Sequence, residues 1–151
     1  MKKVFYIFLL FLFSQISFSQ YNEQWKGYFS YSAIKDISQS NTSIYAASEN
    51  ALFSLNNVSN VLRTTNTVDG LAGEIISALH YSRFFNKTII GYENGLILII
   101  NDSDGTILNV VDIINKQLPA NIKKVNHINE FDGILYISCD FGIVQYDLAT
   151  L

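Results

Sequence analysis

The residues best suited to chemistry are the two histidines of the chain, His80 and His127. One directly follows Leu79 and the other directly precedes Ile128, and these two apolar residues occupy the same position of a repeat described below. Successive side chains of a strand point to opposite faces, so the two imidazoles are predicted to lie on opposite faces of their strands. This arrangement favours two independent structural histidines over a shared metal or catalytic site.

Nucleophilic catalysis has equally little support in the sequence. Ser48, Ser138 and Cys139 lie in predicted strands without the elbow motif that exposes a catalytic serine. Cys139 is the only cysteine, so it cannot form an intrachain disulfide, and its apolar neighbours predict a buried, inert thiol. We therefore expect no enzyme activity, no cofactor and no metal.

An acidic segment at residues 101–105, with the sequence Asn-Asp-Ser-Asp-Gly, begins like a calcium-binding loop. The later oxygen ligands of an EF-hand loop are missing, including its terminal glutamate. Asparagine, aspartate and glycine are also the usual residues of tight turns. We interpret the segment as a turn rather than as a metal site.

A candidate interaction surface lies in a turn near the middle of the chain. Its members are Arg83, Phe84, Phe85 and Lys87, two aromatic side chains flanked by two cations. Aromatic side chains on a turn are available to a partner, but most large aromatic side chains are buried. The pair could therefore pack against a neighbouring repeat instead.

The elements that position these residues are short β-hairpins repeated three times. Residues 88–99 contain two apolar runs joined by Glu-Asn-Gly, and similar hairpins occupy residues 44–53 and 135–144. Alignment of Ala51, Gly95 and Gly142 gives spacings of 44 and 47 residues, the period of a propeller blade. The prediction is an all-β fold, a β-propeller with about three four-stranded antiparallel blades near residues 32–66, 73–112 and 121–151. Closed propellers have four to eight blades, so we expect the N-terminal part of a longer, seven-bladed propeller.

The first 19 residues resemble a signal peptide. Lys2 and Lys3 precede an apolar run at residues 4–13, and small residues at Ser17 and Ser19 favour cleavage before Gln20. Ten apolar residues are too few to span a bilayer, which needs about 20. Export through the Sec pathway is predicted, with an uncleaved anchor as the alternative. The aromatic alternation of residues 21–31 predicts a further strand, which either closes a ring or packs across the first blade.

Charge argues against nucleic acid as a partner. The chain has a formal net charge of −3, and loss of the two leader lysines would make it more acidic. The only basic pair, Lys123 and Lys124, stands alone, so no phosphate-binding patch is predicted.

Two resemblances to known families follow from the repeat columns. Bacterial two-component-regulator propeller repeats have a similar order of residues, matched here by Asp69, Gly70, Leu71, Ile76, Leu79, Gly91, Gly95 and Leu96. Residues 24–31, 44–50, 86–96 and 111–119 resemble the start of the PorZ family, two-propeller components of the type IX secretion system of Bacteroidetes. The tryptophan column of the regulator repeats holds Tyr45, Ile89 and Tyr136 instead.

The PorZ resemblance implies a non-enzymatic protein of the outer membrane or cell surface, with the periplasm as an alternative location. It implies membership of the attachment complex, in which the protein helps to deliver anionic lipopolysaccharide to the sortase for cargo anchoring. The implied partners are the sortase, other secretion-system proteins, and lipopolysaccharide or another glycan. The alternative function is that of an extracellular sensor propeller of a hybrid two-component system that binds glycans.

Overall fold

The computed structural model describes residues 32–151, so the predicted leader and the aromatic segment at residues 21–31 lie outside the described residues. The described chain forms three antiparallel sheets in sequence order, here called blades I, II and III. In each blade, strands that are consecutive in the chain are hydrogen-bonded neighbours. This architecture is that of an incomplete β-propeller, as the hairpin period predicts.

The strands of the three blades are short. Blade I contains β1 (Asp36–Gln39), β2 (Ser43–Ala47), β3 (Leu52–Asn56) and β4 (Leu62–Thr65). Blade II contains β5 (Ile76–Ser82), β6 (Lys87–Tyr92), β7 (Ile97–Asn101) and β8 (Ile107–Val110). Blade III contains β9 (Val125–Phe131), β10 (Ile134–Cys139) and β11 (Gly142–Asp147). Within the described residues blade III thus has three strands, where the repeat predicts about four.

Short helices occur only in the connections between blades, as far as the described residues extend. A 3₁₀ turn at Thr67–Asp69 follows blade I, and α1 (Asp112–Asn115) and a 3₁₀ turn at Ala120–Ile122 join blade II to blade III. None of the helices described is long and apolar enough to cross a membrane.

The first strands of the three blades lie side by side, because β5 packs against β1 on one side and β9 on the other. Side chains satisfy backbone groups across both contacts. The Asp36 carboxylate accepts a hydrogen bond from the Leu79 amide at 2.8 Å, and the Ser77 hydroxyl donates to the Val125 carbonyl at 2.6 Å. These bonds fix the relative positions of strands that are not paired in a sheet.

Two apolar clusters fill the spaces between blades, and blade II contributes to both. Side chains of β6 alternate, so Ile90 joins the cluster shared with blade I and Ile89 joins the cluster shared with blade III. The middle blade is therefore buried on both faces, which explains its nearly continuous run of isoleucine and leucine.

The Glu-Asn-Gly turn includes a left-handed backbone conformation at its glycine. Gly95 has a φ of 89°, and the Asn94 side chain accepts a hydrogen bond from the Leu96 amide at 2.9 Å. A Cβ at Gly95 would lie 2.6 Å from Cγ2 of Ile113, so glycine is also required by close packing. The turn is a part of the blade architecture.

Candidate functional site

The turn that carries the candidate interaction surface connects β5 to β6. Asn86 adopts a left-handed conformation, with a φ of 51°, and the Phe85 amide donates to the Ser82 hydroxyl at 3.2 Å. The turn is therefore held in one conformation by its own hydrogen bonds.

The two aromatic side chains of the turn have different surroundings. Phe85 is half-buried and packs against the apolar cluster between blades II and III, close to Gly133 of the next hairpin. Phe84 is 82% exposed and meets the Phe85 ring edge to face, with 4.9 Å between ring centroids. The sequence left packing and exposure open for the pair, and the structure assigns one to each residue.

The two cations of the turn also differ. The Lys87 ammonium donates to the carbonyls of Leu148 at 3.0 Å and Leu151 at 2.6 Å, and it lies 5.6 Å from the centroid of the Phe85 ring. Arg83 is exposed, and its Nε donates to the Gln39 carbonyl of blade I at 3.4 Å. Lys87 thus links blade II to the chain after blade III, whereas Arg83 remains at the surface.

Arg83, Phe84 and Phe85 line a groove of about 1030 Å³ that all three blades contribute to. We call it the three-blade groove. Blade I contributes two isoleucines and two polar residues, and blade III contributes three carboxylates. The remaining lining residues are Ile37, Ser38, Gln39, Ile44, His80, Tyr81, Glu130, Asp132, Gly133, Ile134, Asp147 and Ala149. Lys87 is not among the lining residues.

The wall between blades II and III contains a hydrogen-bonded pair of partly buried groups. His80 Nε2 lies 3.3 Å from a carboxylate oxygen of Glu130, and the two side chains are 22% and 14% exposed. His127 lies three positions before Glu130 on β9, so it points to the opposite face of the strand. The prediction that the two imidazoles lie on opposite faces is wrong, because the residues directly after and directly before equivalent positions both point away from the face of those positions. Leu79 faces blade I and Ile128 faces blade II, so both histidines point away from the preceding blade, and their surroundings are separate because they belong to different blades.

Two other chemically suggestive residues, Ser48 and Cys139, are buried. The buried Ser48 hydroxyl donates to the Ala51 carbonyl at 3.1 Å, and burial raises the pKa of the Cys139 thiol. A raised pKa lowers the thiolate fraction and hence the reactivity of the sulfur. Among the described residues, no three His, Cys, Asp or Glu side chains form a group that could hold a metal ion.

The acidic segment at residues 101–105 is a turn whose oxygens accept local hydrogen bonds. Asp104 accepts from the backbone amide and hydroxyl of Thr106 at 2.9 and 2.7 Å, which lowers the pKa of its carboxyl. Asp102 accepts from the Tyr45 hydroxyl at 2.7 Å and from the Thr88 hydroxyl at 3.1 Å. Burial, followed by this bond to Asp102, raises the pKa of Tyr45. The segment joins blades I and II.

Several residues of the three-blade groove were not predicted from the sequence. Ile37 and Ile44 belong to strands whose alternation predicts a covered face, yet they are 66% and 43% exposed. Glu130 and Asp132 lie about 50 residues after the turn that they face. In the sequence, only the repeat alignment indicates that these residues lie near one another. It places the turns that follow β5 and β9 at equivalent positions of successive blades.

The family model described as "TSS9, PorZ, N-terminal beta-propeller domain" matches residues 44–150, well over half of the 151-residue chain. The chain belongs to this family. The sequence resemblance to PorZ and the predicted fold class are thereby confirmed. No curated protein matches the chain.

Two solved structures have a similar fold. PorZ of Porphyromonas gingivalis, described as an essential surface component of its type IX secretion system, has a TM-score of 0.70 and 19% identity, over 78% of this chain and 16% of that chain. An extracellular domain from B. thetaiotaomicron, described as part of a hybrid two-component system, has a TM-score of 0.65 and 19% identity, over 85% and 17% of the respective chains.

At these identities the two structures establish the propeller fold alone. The chain spans about one sixth of the length of each of these relatives. One relative is described as a surface component and the other as an extracellular domain.

Proposed function

We propose that the chain is the N-terminal propeller region of a non-enzymatic component of the type IX attachment complex at the cell surface. In this proposal the protein helps to deliver anionic lipopolysaccharide to the sortase, which anchors secreted cargo. The observation that carries it is the family match over residues 44–150. A propeller fold by itself hosts many functions, so the family assignment is the decisive support.

The internal contacts of the nucleophilic residues support a non-enzymatic role. A nucleophile needs a base within hydrogen-bond reach and an accessible reacting atom. Ser48 is 1% exposed and bonded to a carbonyl, and the half-buried His80 is engaged by Glu130 rather than by a nucleophile. The protein would therefore act by binding partners.

A signal peptide at residues 1–19, followed by a propeller region from residue 20 onwards, completes the proposal. Export by Sec would place the propeller where the P. gingivalis relative is described to act. The partners would be the sortase, other proteins of the attachment complex and lipopolysaccharide.

The second candidate function is an extracellular sensor propeller that binds glycans. It is favoured by the match to the B. thetaiotaomicron domain, which covers a larger share of this chain than the match to PorZ. A sensor would change transcription and would leave cargo anchoring intact.

Deletion of the full-length gene distinguishes the two functions. In the deletion strain we expect type IX cargo in the culture medium instead of on the cells, and a plasmid copy of the gene should restore anchoring. Cargo would be quantified by immunoblotting of cells and medium, with a periplasmic protein as the lysis control. Normal anchoring together with altered transcription of a glycan-utilisation locus would replace the secretion role with the sensor role.

A further inference from the structure

The three-blade groove combines a concave surface with an exposed aromatic side chain. Its volume of about 1030 Å³ is at the upper limit of ordinary ligand pockets, about 300–1,000 Å³. Phe84 at 82% exposure and Ile37 at 66% exposure are on its walls. Large apolar side chains exposed together at one site are typical of a binding surface.

Phe84 projects from the turn next to a second aromatic ring. Its ring meets the Phe85 ring edge to face, and Phe85 lies near Gly133 and under the Lys87 ammonium. Phe84 therefore offers a partner a large apolar contact, and aromatic side chains are common among the residues that dominate interface energetics.

The charges on the groove walls are unequal. Blade III contributes the carboxylates of Glu130, Asp132 and Asp147. The cations on the walls are Arg83 and, when it is protonated, His80; Lys87 is directed to backbone carbonyls instead. Because Glu130 is bonded to His80, the carboxylates open to a partner are those of Asp132 and Asp147. The groove therefore has an acidic side on blade III and two exposed isoleucines on blade I, which complements a cation next to an apolar side chain.

We propose that the three-blade groove binds a short segment of a partner protein in which an aliphatic or aromatic side chain lies next to a lysine or arginine. The apolar side chain contacts Phe84, Ile37 and Ile44, and the cation faces the carboxylates of blade III. The exposed isoleucines of blade I and the carboxylates of blade III favour a peptide over an anionic glycan, because carboxylates repel an anion. The inference deepens the proposed function, on which it rests for the cellular setting of the partner.

The test uses the full-length protein and a synthetic array of nonapeptides with varied residues at the centre and on both sides of it. We expect selection of peptides with an apolar centre and a flanking lysine or arginine. Replacement of that cation by glutamate should weaken binding at least about tenfold, because the like charges repel. Phe84→Ser should weaken the best peptide at least about tenfold, and Asp132→Asn by about two- to fivefold.

The matched control is Val58→Ser, which removes an apolar side chain of 78% exposure outside the groove and should leave peptide affinity unchanged. Thermal unfolding of each variant would show that its fold is intact. The proposal is overturned if no peptide is selected, if acidic peptides bind equally well, or if Phe84→Ser binds as the wild type does. Direct binding of purified lipopolysaccharide that Phe84→Ser weakens, with no peptide selected, would assign the groove to a glycan. Each of these results is independent of whether the deletion strain releases its cargo.

Discussion

The contact between blades I and II contains a polar link at a position where the contact between blades II and III is apolar. Tyr45 pairs with Ser38 in blade I, and Ile89 pairs with His80 in blade II, so the two occupy equivalent positions. The Tyr45 hydroxyl reaches Asp102, the residue directly after β7. The residue directly after β11 is Leu148, which is fully buried in the same cluster as Ile89.

The backbones also approach differently. Ala47 and Gly91 are each two residues after the positions just compared. A Cβ at Gly91 would lie 2.8 Å from Cβ of Val125, whereas blade I accommodates the methyl group of Ala47. The comparison shows that, at equivalent positions of the repeat, one blade joins its neighbour by closely packed aliphatic side chains and another by a hydrogen bond between a tyrosine and an aspartate. Burial should supply most of the stability in both, because a net hydrogen bond contributes less.

The largest expected effect is loss of apolar packing between blades II and III. Ile89→Ala should lower the free energy of opening of this contact by about 2–5 kcal/mol, because a fully buried isoleucine leaves a cavity. Amide hydrogen exchange of peptides from β6 and β10 in the full-length protein measures this change. The control Ile37→Ala, at a 66% exposed position, should change it by less than about 0.5 kcal/mol.

The close approach at the same contact is tested by Gly91→Ala. We expect a loss of about 1–3 kcal/mol, since the added methyl group must displace Val125. Gly73→Ala is the matched control, because nothing lies within 4 Å of a Cβ built there. Equal protection from hydrogen exchange in the two variants would show that the blades are not closely packed at Gly91.

The polar link between blades I and II should have a smaller effect. Tyr45→Phe removes the hydroxyl that donates to Asp102. It should cost about 1 kcal/mol in the opening of blade I, less than a bond to a buried charged group, because Asp102 is exposed. In an Asp102→Asn background the same substitution should cost less. Identical losses in both backgrounds would mean that the two residues are not coupled.

Alkaline pH should weaken the contact between blades I and II first. Burial raises the pKa of Tyr45 and Tyr81 and raises the pKa of Tyr92 to about 12. In the other contact, burial raises the pKa of one tyrosine, Tyr146, to about 12 and also raises the pKa of the Cys139 thiol. The unfolded chain ionises near pH 10, so it binds fewer protons than the folded chain above that pH, and the free energy of unfolding falls as pH rises further.

Limited proteolysis at about pH 9 and about pH 11 measures this difference. Cleavage should accelerate first in blade I, and Tyr45→Phe should reduce the acceleration there. Tyr146→Phe is the control and should leave cleavage of blade I unchanged. Faster cleavage of blade III than of blade I at the higher pH would contradict the comparison.

The blades could be predicted from the sequence because their signals are local. The Asn94 and Gly95 turn and the alternation of β6 are each contained in a few residues, and the period of the hairpins supplies the rest. The blades then follow one another in the order of the sequence.

The groove could not be predicted because its contacts are distant in the sequence. Phe84 and Phe85 are neighbours on one turn, and packing against the cluster shared with blade III distinguishes Phe85 from the exposed Phe84. The carbonyl partners of Lys87 lie 61 and 64 residues away, at positions where any side chain would present the same carbonyl. A hydrogen bond to a backbone carbonyl places no requirement on the type of residue, so the sequence does not reveal it.

The most direct test of the account is the anchoring of a type IX cargo protein in strains with single substitutions in the full-length gene. We predict that Phe84→Ser releases the cargo into the medium while the protein itself reaches the surface at the normal level, and that Val58→Ser retains the cargo on the cells. The deletion strain provides the reference for complete loss. Cargo retained by the deletion strain would contradict the secretion role, whereas cargo released by the deletion strain but retained by Phe84→Ser would contradict the role of the three-blade groove.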